Sequence, residues 1–303
     1  MTLRFVLAIG CLALASPGFA QGRVEVVTTT TDLRSLTEAV GGEHVMVTSL
    51  VPGSLDAEEY QSKPHDMLRL KNARMLVRVG LDYDLWLDRV LAQAGNRAIV
   101  RDGAGYVDAS YAIAVLELGG MSVGPGDGHA HGSGNPHYWL DPRNAEIIAG
   151  TILEVLERID PANAESYEAN LSEFVSRLQP KLKEWEAKLA PLRGAPIVAY
   201  HNSWPYFARR FRLNLVGFIE MKPGVAPSAS HLARLVETMR ANGARIVVRD
   251  TREPERDVAF VAAKAGASIV TLGASVGSLP QAVDYISLID ANVNALASAA
   301  AGR

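Results

Sequence analysis

The sequence is short of cysteine, of net charge and of long apolar runs, and each lack closes off a class of function. A single cysteine, Cys11, builds neither a disulfide framework nor a thiolate zinc site, so a metal held here must use nitrogen and oxygen. Thirty lysines and arginines against 33 aspartates and glutamates leave a net charge of −3, without the basic surplus of a nucleic-acid binder. Beyond the N-terminus no stretch approaches the ~18 apolar residues of a membrane span. No Gly-x-Gly-x-x-Gly follows a strand, no phosphate loop is present and His-Glu-x-x-His is missing. A serine-hydrolase elbow is not read either, so enzymatic readings lose their usual supports.

What is present is ordinary globular material, 48% hydrophobic and 21% charged, in a chain of 303 residues, enough for two cores. Residues 1–20 read as an export signal. Arg4 is the positive region, Phe5–Ala15 the apolar run, and Gly18 and Ala20 the small residues before a cut ahead of Gln21. The run is about half of a bilayer span, so a permanent anchor is not expected. Cleavage removes Arg4 and Cys11 and makes the chain one charge more negative. A competing reading makes Cys11 of Ala8-Ile9-Gly10-Cys11 a lipidation site.

After the signal, strands alternate with helices, which implies an α/β fold with parallel sheets. The β-branched run Arg23–Thr31 reads as a strand, with Asp32 capping a helix through Val40. His44–Val51, Ala73–Val79, Pro196–Tyr200, Leu213–Ile219, Arg245–Val248 and Ser268–Leu272 read as further strands. Residues 119–137, rich in glycine and histidine, read as a long loop. From Asp160-Pro161 onward, apolar residues at Tyr167, Leu171, Phe174, Val175, Leu178, Leu182, Trp185, Leu189 and Leu192 form one helical stripe, with Pro180 inside it. The chain thus divides into a signal at 1–20, an N-terminal lobe at 21–158, a long connecting helix at 159–192 and a C-terminal lobe at 193–303.

Of seven histidines, two have informative addresses. His137 ends a loop in Asn135-Pro136-His137-Tyr138-Trp139, whose aromatic residues would pin its ring. His201 follows a strand at its carboxyl end, where open α/β sheets place ligands. Glu220 and Asp250 have the same strand-end address, although such carboxylates often only cap the next helix. Asp56, Glu58, Glu59 and His65 crowd one loop of the first half. His129 and His131 alternate with small residues, as in a metal-capturing tract or an inert linker. His44 and His231 read as surface residues. Imidazole with carboxylate suits zinc, and manganese or iron(II) where more oxygens join.

In this order, several segments resemble a known family: VVTTTTDL at 26–33, Gly41-Gly42, ARMLVRVG at 73–80 followed by Trp86-Leu87, and NPHYWLDP at 135–142. Tyr200-His201 with Tyr206-Phe207, Lys222-Pro223-Gly224 with Pro227-Ser228, and Asp284-Tyr285 with Asn292 add to it. The chain resembles the zinc- and manganese-binding solute receptors of bacterial ABC importers, the cluster A-I class. The resemblance implies two α/β lobes joined by one long helix, a divalent zinc or manganese ion as transported ligand in the cleft, and a periplasmic location. It also implies delivery to a membrane permease driven by an ATPase, by a receptor expected to be a monomer and not an enzyme.

Carried over by position, His137 and His201 match two of the family's ligands. The family's Asp-Pro-His is here Asp56-Ala57-Glu58, so Glu58 stands in the histidine's place, with His65 as a substitute only if the loop folds back. The usual last-strand aspartate is absent from Leu272–Gly277, and Glu220 or Asp250 would fill the gap, Glu220 being favoured because Pro223 and Gly224 hold its loop. The expected metal set is therefore His137, His201, Glu58, Glu220, His65 and Asp250. Three other readings stay open: a zinc-dependent hydrolase with Glu58 or Glu220 as general base, a periplasmic metal chaperone or store, and a lineage whose site has lost its metal, given two departures from the family's four ligands.

Overall fold

The computed structural model describes residues 22–116, 133–222 and 224–301. The histidine tract with His129 and His131, the export signal and Pro223 lie outside the described residues.

The first half builds β1 (Val24–Thr28), α1 (Thr31–Gly41), β2 (Val45–Ser49), α2 (Pro64–Asn72), β3 (Met75–Arg78), α3 (Trp86–Ala94) and β4 (Tyr106–Asp108). Its strands run parallel in the order β2-β1-β3-β4. The four residues of β3 are all buried, as expected of an inner strand covered on both faces. The second half contains β5 (Pro196–Ala199), α6 (Pro205–Phe211), β6 (Asn214–Phe218), α7 (Ala229–Asn242), β7 (Ile246–Asp250), α8 (Glu255–Ala265), β8 (Ser268–Leu272) and α9 (Tyr285–Ala301). It repeats the arrangement as β6-β5-β7-β8, again parallel. In chain order α4 (Asn144–Ile159) and α5 (Ala164–Lys188) come between the two sheets.

The alternation of elements expected from the sequence is thus present, with β4 as an unexpected addition. Two local expectations need correction. Thr30, not Asp32, caps α1, its hydroxyl accepting from the Leu33 amide, while Asp32 is buried inside the first turn. The long helix is 25 residues, about 37 Å at ~1.5 Å per residue, and shorter than the expected segment at both ends. At its start the Asp160 carboxylate takes Asn163 Nδ2 at 2.8 Å and the Tyr167 hydroxyl at 2.6 Å in place of backbone amides, so Pro161–Asn163 forms a tighter turn. At its end Ala190–Leu192 forms another. Pro180 lies within α5 without breaking it.

The apolar stripe of α5 does what its spacing demands. Tyr167, Phe174, Leu178, Leu182 and Trp185 are buried, and Leu171 and Val175 pack partly buried against the same core. The helix lies on α1 and α4 of the first half and on α9 of the second. Trp185 Nε1 donates to Asp290 of α9 at 2.6 Å, and Lys181 pairs with the same carboxylate at 2.9 Å. One continuous apolar cluster runs from Val77 of the first sheet through Tyr138, Trp139 and Trp204 to Val248 of the second. Polar links cross with it: Thr31 Oγ1 to the Val276 carbonyl at 2.7 Å, Trp139 Nε1 to that of Ala274 at 2.9 Å, and Tyr206 to that of Asn135 at 2.8 Å. The halves therefore share a packed interior, and the cleft opens where the strands end.

Candidate metal centre

Parallel strands aim their carboxyl ends at one edge of each sheet, and the chemistry collects there. His201 stands just past β5, Glu220 just past β6 and Asp250 at the end of β7. From the first half come the loop after β2, carrying Glu58, and the segment entering the Tyr138–Leu140 turn, carrying His137. Glu58, His137 and His201 each offer one donor atom, and the three atoms lie within 4.8 Å of one another.

Each donor is held from behind. The His137 ring lies 5.5 Å from Tyr83 and 5.3 Å from Trp139, centroid to centroid. Asn135 Oδ1 accepts from the His137 amide at 3.0 Å and faces Nδ1 at 3.2 Å, so the proton sits on Nδ1 and Nε2 is the metal-ready nitrogen. That Nε2 lies 3.3 Å from a Glu58 carboxylate oxygen. His201 Nδ1 meets Glu220 Oε2 at 2.6 Å, and the other Glu220 oxygen accepts from the Gly224 amide at 2.9 Å. Gly224 has φ +71°, a conformation glycine adopts without strain, so the turn that offers this amide suits its residue.

Burial works against a charge on His201, but the Glu220 hydrogen bond and the nearby Glu58 charge outweigh it and push the imidazole up to about 9. A cation entering here must therefore displace a proton from His201. The cleft beyond has a volume of about 600 Å³ and an acidic lining that includes Asp56, Glu59, Glu220 and Glu253.

Not every expected residue arrives. His65 opens α2 with its side chain 53% exposed and its Nε2 3.2 Å from Asp66, and it has no place in the three-donor cluster. The loop does not fold back as its candidacy required. Asp250 is buried but committed: Arg252 holds one of its oxygens at 2.6 Å, and Thr251 and the Arg252 amide bond the other. Glu220 faces the far nitrogen of His201 and is not in the cluster. His44 stacks edge-on against Tyr167, and His231 bonds the Phe218 carbonyl at 2.9 Å, so neither is a bare surface residue.

Sequence reasoning also overlooked groups. Residues 273–277 do spell Gly-x-Ser-x-Gly after a strand, contrary to the motif reading. Ser275 is buried, its carbonyl accepts from the Ser278 hydroxyl at 2.6 Å and its side chain bonds Asp32, so the spacing serves a tight turn against the first half. Arg252 and Glu253 line the cleft although neither was singled out. Burial pushes the Glu253 carboxyl up to about 7 against the opposing hydrogen bond from the Asp250 amide. Their signal was the strand-end position shared with His201.

A two-sheet fold with a helical connector and a histidine–carboxylate centre between its halves defines a two-lobed metal receptor. The family model for the periplasmic component A of zinc-uptake complexes matches residues 26–299, and the chain belongs to that family. It is therefore a metal-capturing solute-binding receptor of the kind that serves an ABC importer, working with a permease and its ATPase. A putative metal-binding protein of Treponema pallidum is 27% identical over 254 residues, 82% of this chain and 79% of that protein. The high-affinity zinc uptake protein ZnuA of Brucella abortus is 25% identical over 68% of this chain and 70% of its own. A crystal structure of ZnuA matches with a TM-score of 0.77 at 28% identity, covering 92% of this chain and 99% of that one. The cadmium-bound periplasmic metal-binding protein of Candidatus Liberibacter asiaticus, 18% identical, shares the fold with a TM-score of 0.76 over 92% of this chain and 99% of its own.

Proposed function

We propose that Glu58, His137 and His201 together capture a single zinc ion, which the receptor hands to its membrane permease. The observation carrying this reading is the convergence of three donors, two from the first half and one from the second, within 4.8 Å. Ligands of a tetrahedral zinc at ~2 Å bond lengths stand about 3.3 Å apart. Closing on the ion thus asks for movement of an ångström or so. Two imidazoles and one carboxylate favour zinc over manganese, which prefers six oxygen-rich ligands. Glu220 and Asp250 are held by His201 and Arg252, which argues for supporting roles.

The same support argues against catalysis, because Glu220, one of the two bases the hydrolase reading had available, is spent on orienting His201. We further infer that the chain is exported to the periplasm with its signal cut near Ala20, that it divides at about 158 and 193 as the sequence suggests, and that it acts as a monomer without nucleic acid. Chelator competition on the metal-stripped protein should find one zinc per chain, with manganese bound more weakly. His137→Ala and His201→Ala should each weaken zinc by more than the roughly 10–100-fold typical of lost outer hydrogen-bond partners. Unchanged affinity in both variants would overturn the assignment.

A further inference from the structure

We propose that Arg252 is the positioning residue of the cleft: a cation of the second lobe that holds the Glu58 loop of the first in place for capture. The inference rests on reading Glu58, His137 and His201 as the capture site. Arg252 lies just past β7, its side chain only 21% exposed. Its Nε and Nη2 grip one oxygen of Asp250 at 3.1 and 2.6 Å. Asp250 is itself tied down at the strand end by the Thr251 hydroxyl and the Arg252 amide. The guanidinium is thus fixed in the second lobe before it reaches across.

Its remaining arm crosses to the first lobe. Nη1 donates to the Leu55 carbonyl at 2.8 Å and stands 3.8 Å from an Asp56 carboxylate oxygen. The other Asp56 oxygen accepts from the Glu58 amide at 2.9 Å. The path from guanidinium to the ligand-bearing residue is therefore one ion pair and one hydrogen bond long. The loop has other anchors. Gly53 lies so close to the Val276 carbonyl that an added Cβ would come within 2.0 Å of its oxygen, and Trp86 Nε1 donates to the Ala57 carbonyl at 2.8 Å. Neither supplies charge.

Charge is what the loop needs. Asp56, Glu58 and Glu59 face Glu220 and Glu253 across the cleft, and like charges so placed repel. Arg256, the other arginine lining the cleft, is 87% exposed and pairs with Asp257 of its own helix. Arg252 both offsets the repulsion and spans two acceptors that a single ammonium point cannot reach at once.

The test uses the mature chain, stripped of metal and reloaded with zinc. In Arg252→Met, amide hydrogen exchange of the metal-free protein should accelerate at residues 55–60 and stay unchanged in both sheets. Zinc should dissociate roughly tenfold to a hundredfold faster, the range expected on losing a charge-assisted hydrogen bond. Arg252→Lys should fall between, and Arg256→Met should match the wild type. In a Glu58→Ala background Arg252→Met should add little further loss, because the residue it positions is gone. Wild-type exchange at 55–60 in Arg252→Met or Arg252→Lys, or full additivity with Glu58→Ala, overturns the proposal. Absence of zinc binding by the wild type would instead sink the capture-site reading, and the exchange experiment would still decide whether Arg252 holds the loop.

Discussion

In the proposed capture site Glu220 acts on the metal through His201 and is not itself a ligand. Its hydrogen bond to His201 Nδ1 turns the ring and leaves Nε2 toward the cleft. Glu220→Gln keeps a hydrogen-bonding group there and removes the charge. Zinc affinity should fall roughly 10–100-fold, and NMR titration should show the His201 imidazole moving from about 9 toward its ordinary value. Unchanged affinity would mean that ring packing alone orients His201. The sequence made His137 and His201 legible through local signals, an aromatic setting and a strand end. It offered Glu58 and His65 without a choice, because a loop's path depends on distant anchors such as Trp86 and Arg252.

At the scale of elements, two helices carry the joint between the halves. Asp32 in the first turn of α1 is wholly buried, and burial pushes its carboxyl up to about 7 against the opposing Val276 amide, which donates to it at 2.9 Å. A carboxyl raised in the folded state binds its proton more tightly there than in the unfolded chain. It therefore favours folding most at low pH, and that contribution is lost as pH rises from about 4 through about 7. The melting temperature at pH 6 minus that at pH 8 should be more positive for the wild type than for Asp32→Asn, and equal differences would remove Asp32 from the pH response. Along α5, Trp185 fills the core and bonds Asp290. Trp185→Ala should cost about 3–5 kcal/mol in urea unfolding, the usual range for emptying a large aromatic site. The α5 stripe was readable in the sequence because packing imposes its period. The helix ends were not, since Asp160 satisfies Asn163 and Tyr167 instead of capping.

For the whole molecule, the shared core limits what metal binding can move. A cluster continuous across both halves, with α5 laid on each, resists wide hinge opening. Small-angle scattering of stripped and zinc-loaded protein should give closely matching radii of gyration. A thermal shift should still report binding, through ligand stabilisation of about 4 kcal/mol at a thousand times Kd. A large compaction would refute the rigid-frame view. The amino-acid order alone pointed to two βα halves, a long amphipathic connector, a metal chemistry of nitrogen and oxygen, and two histidines, one at a loop end and one at a strand end. These follow from residue type, side-chain periodicity and strand polarity, which act over a few residues. That Glu58 lies beside the histidines, that Asp250 and Glu220 are taken up by Arg252 and His201, and that the lobes share one core are features of the three-dimensional structure alone. Those outcomes depend on groups from far-apart segments meeting in a low-dielectric cleft, where every charge must find its partner.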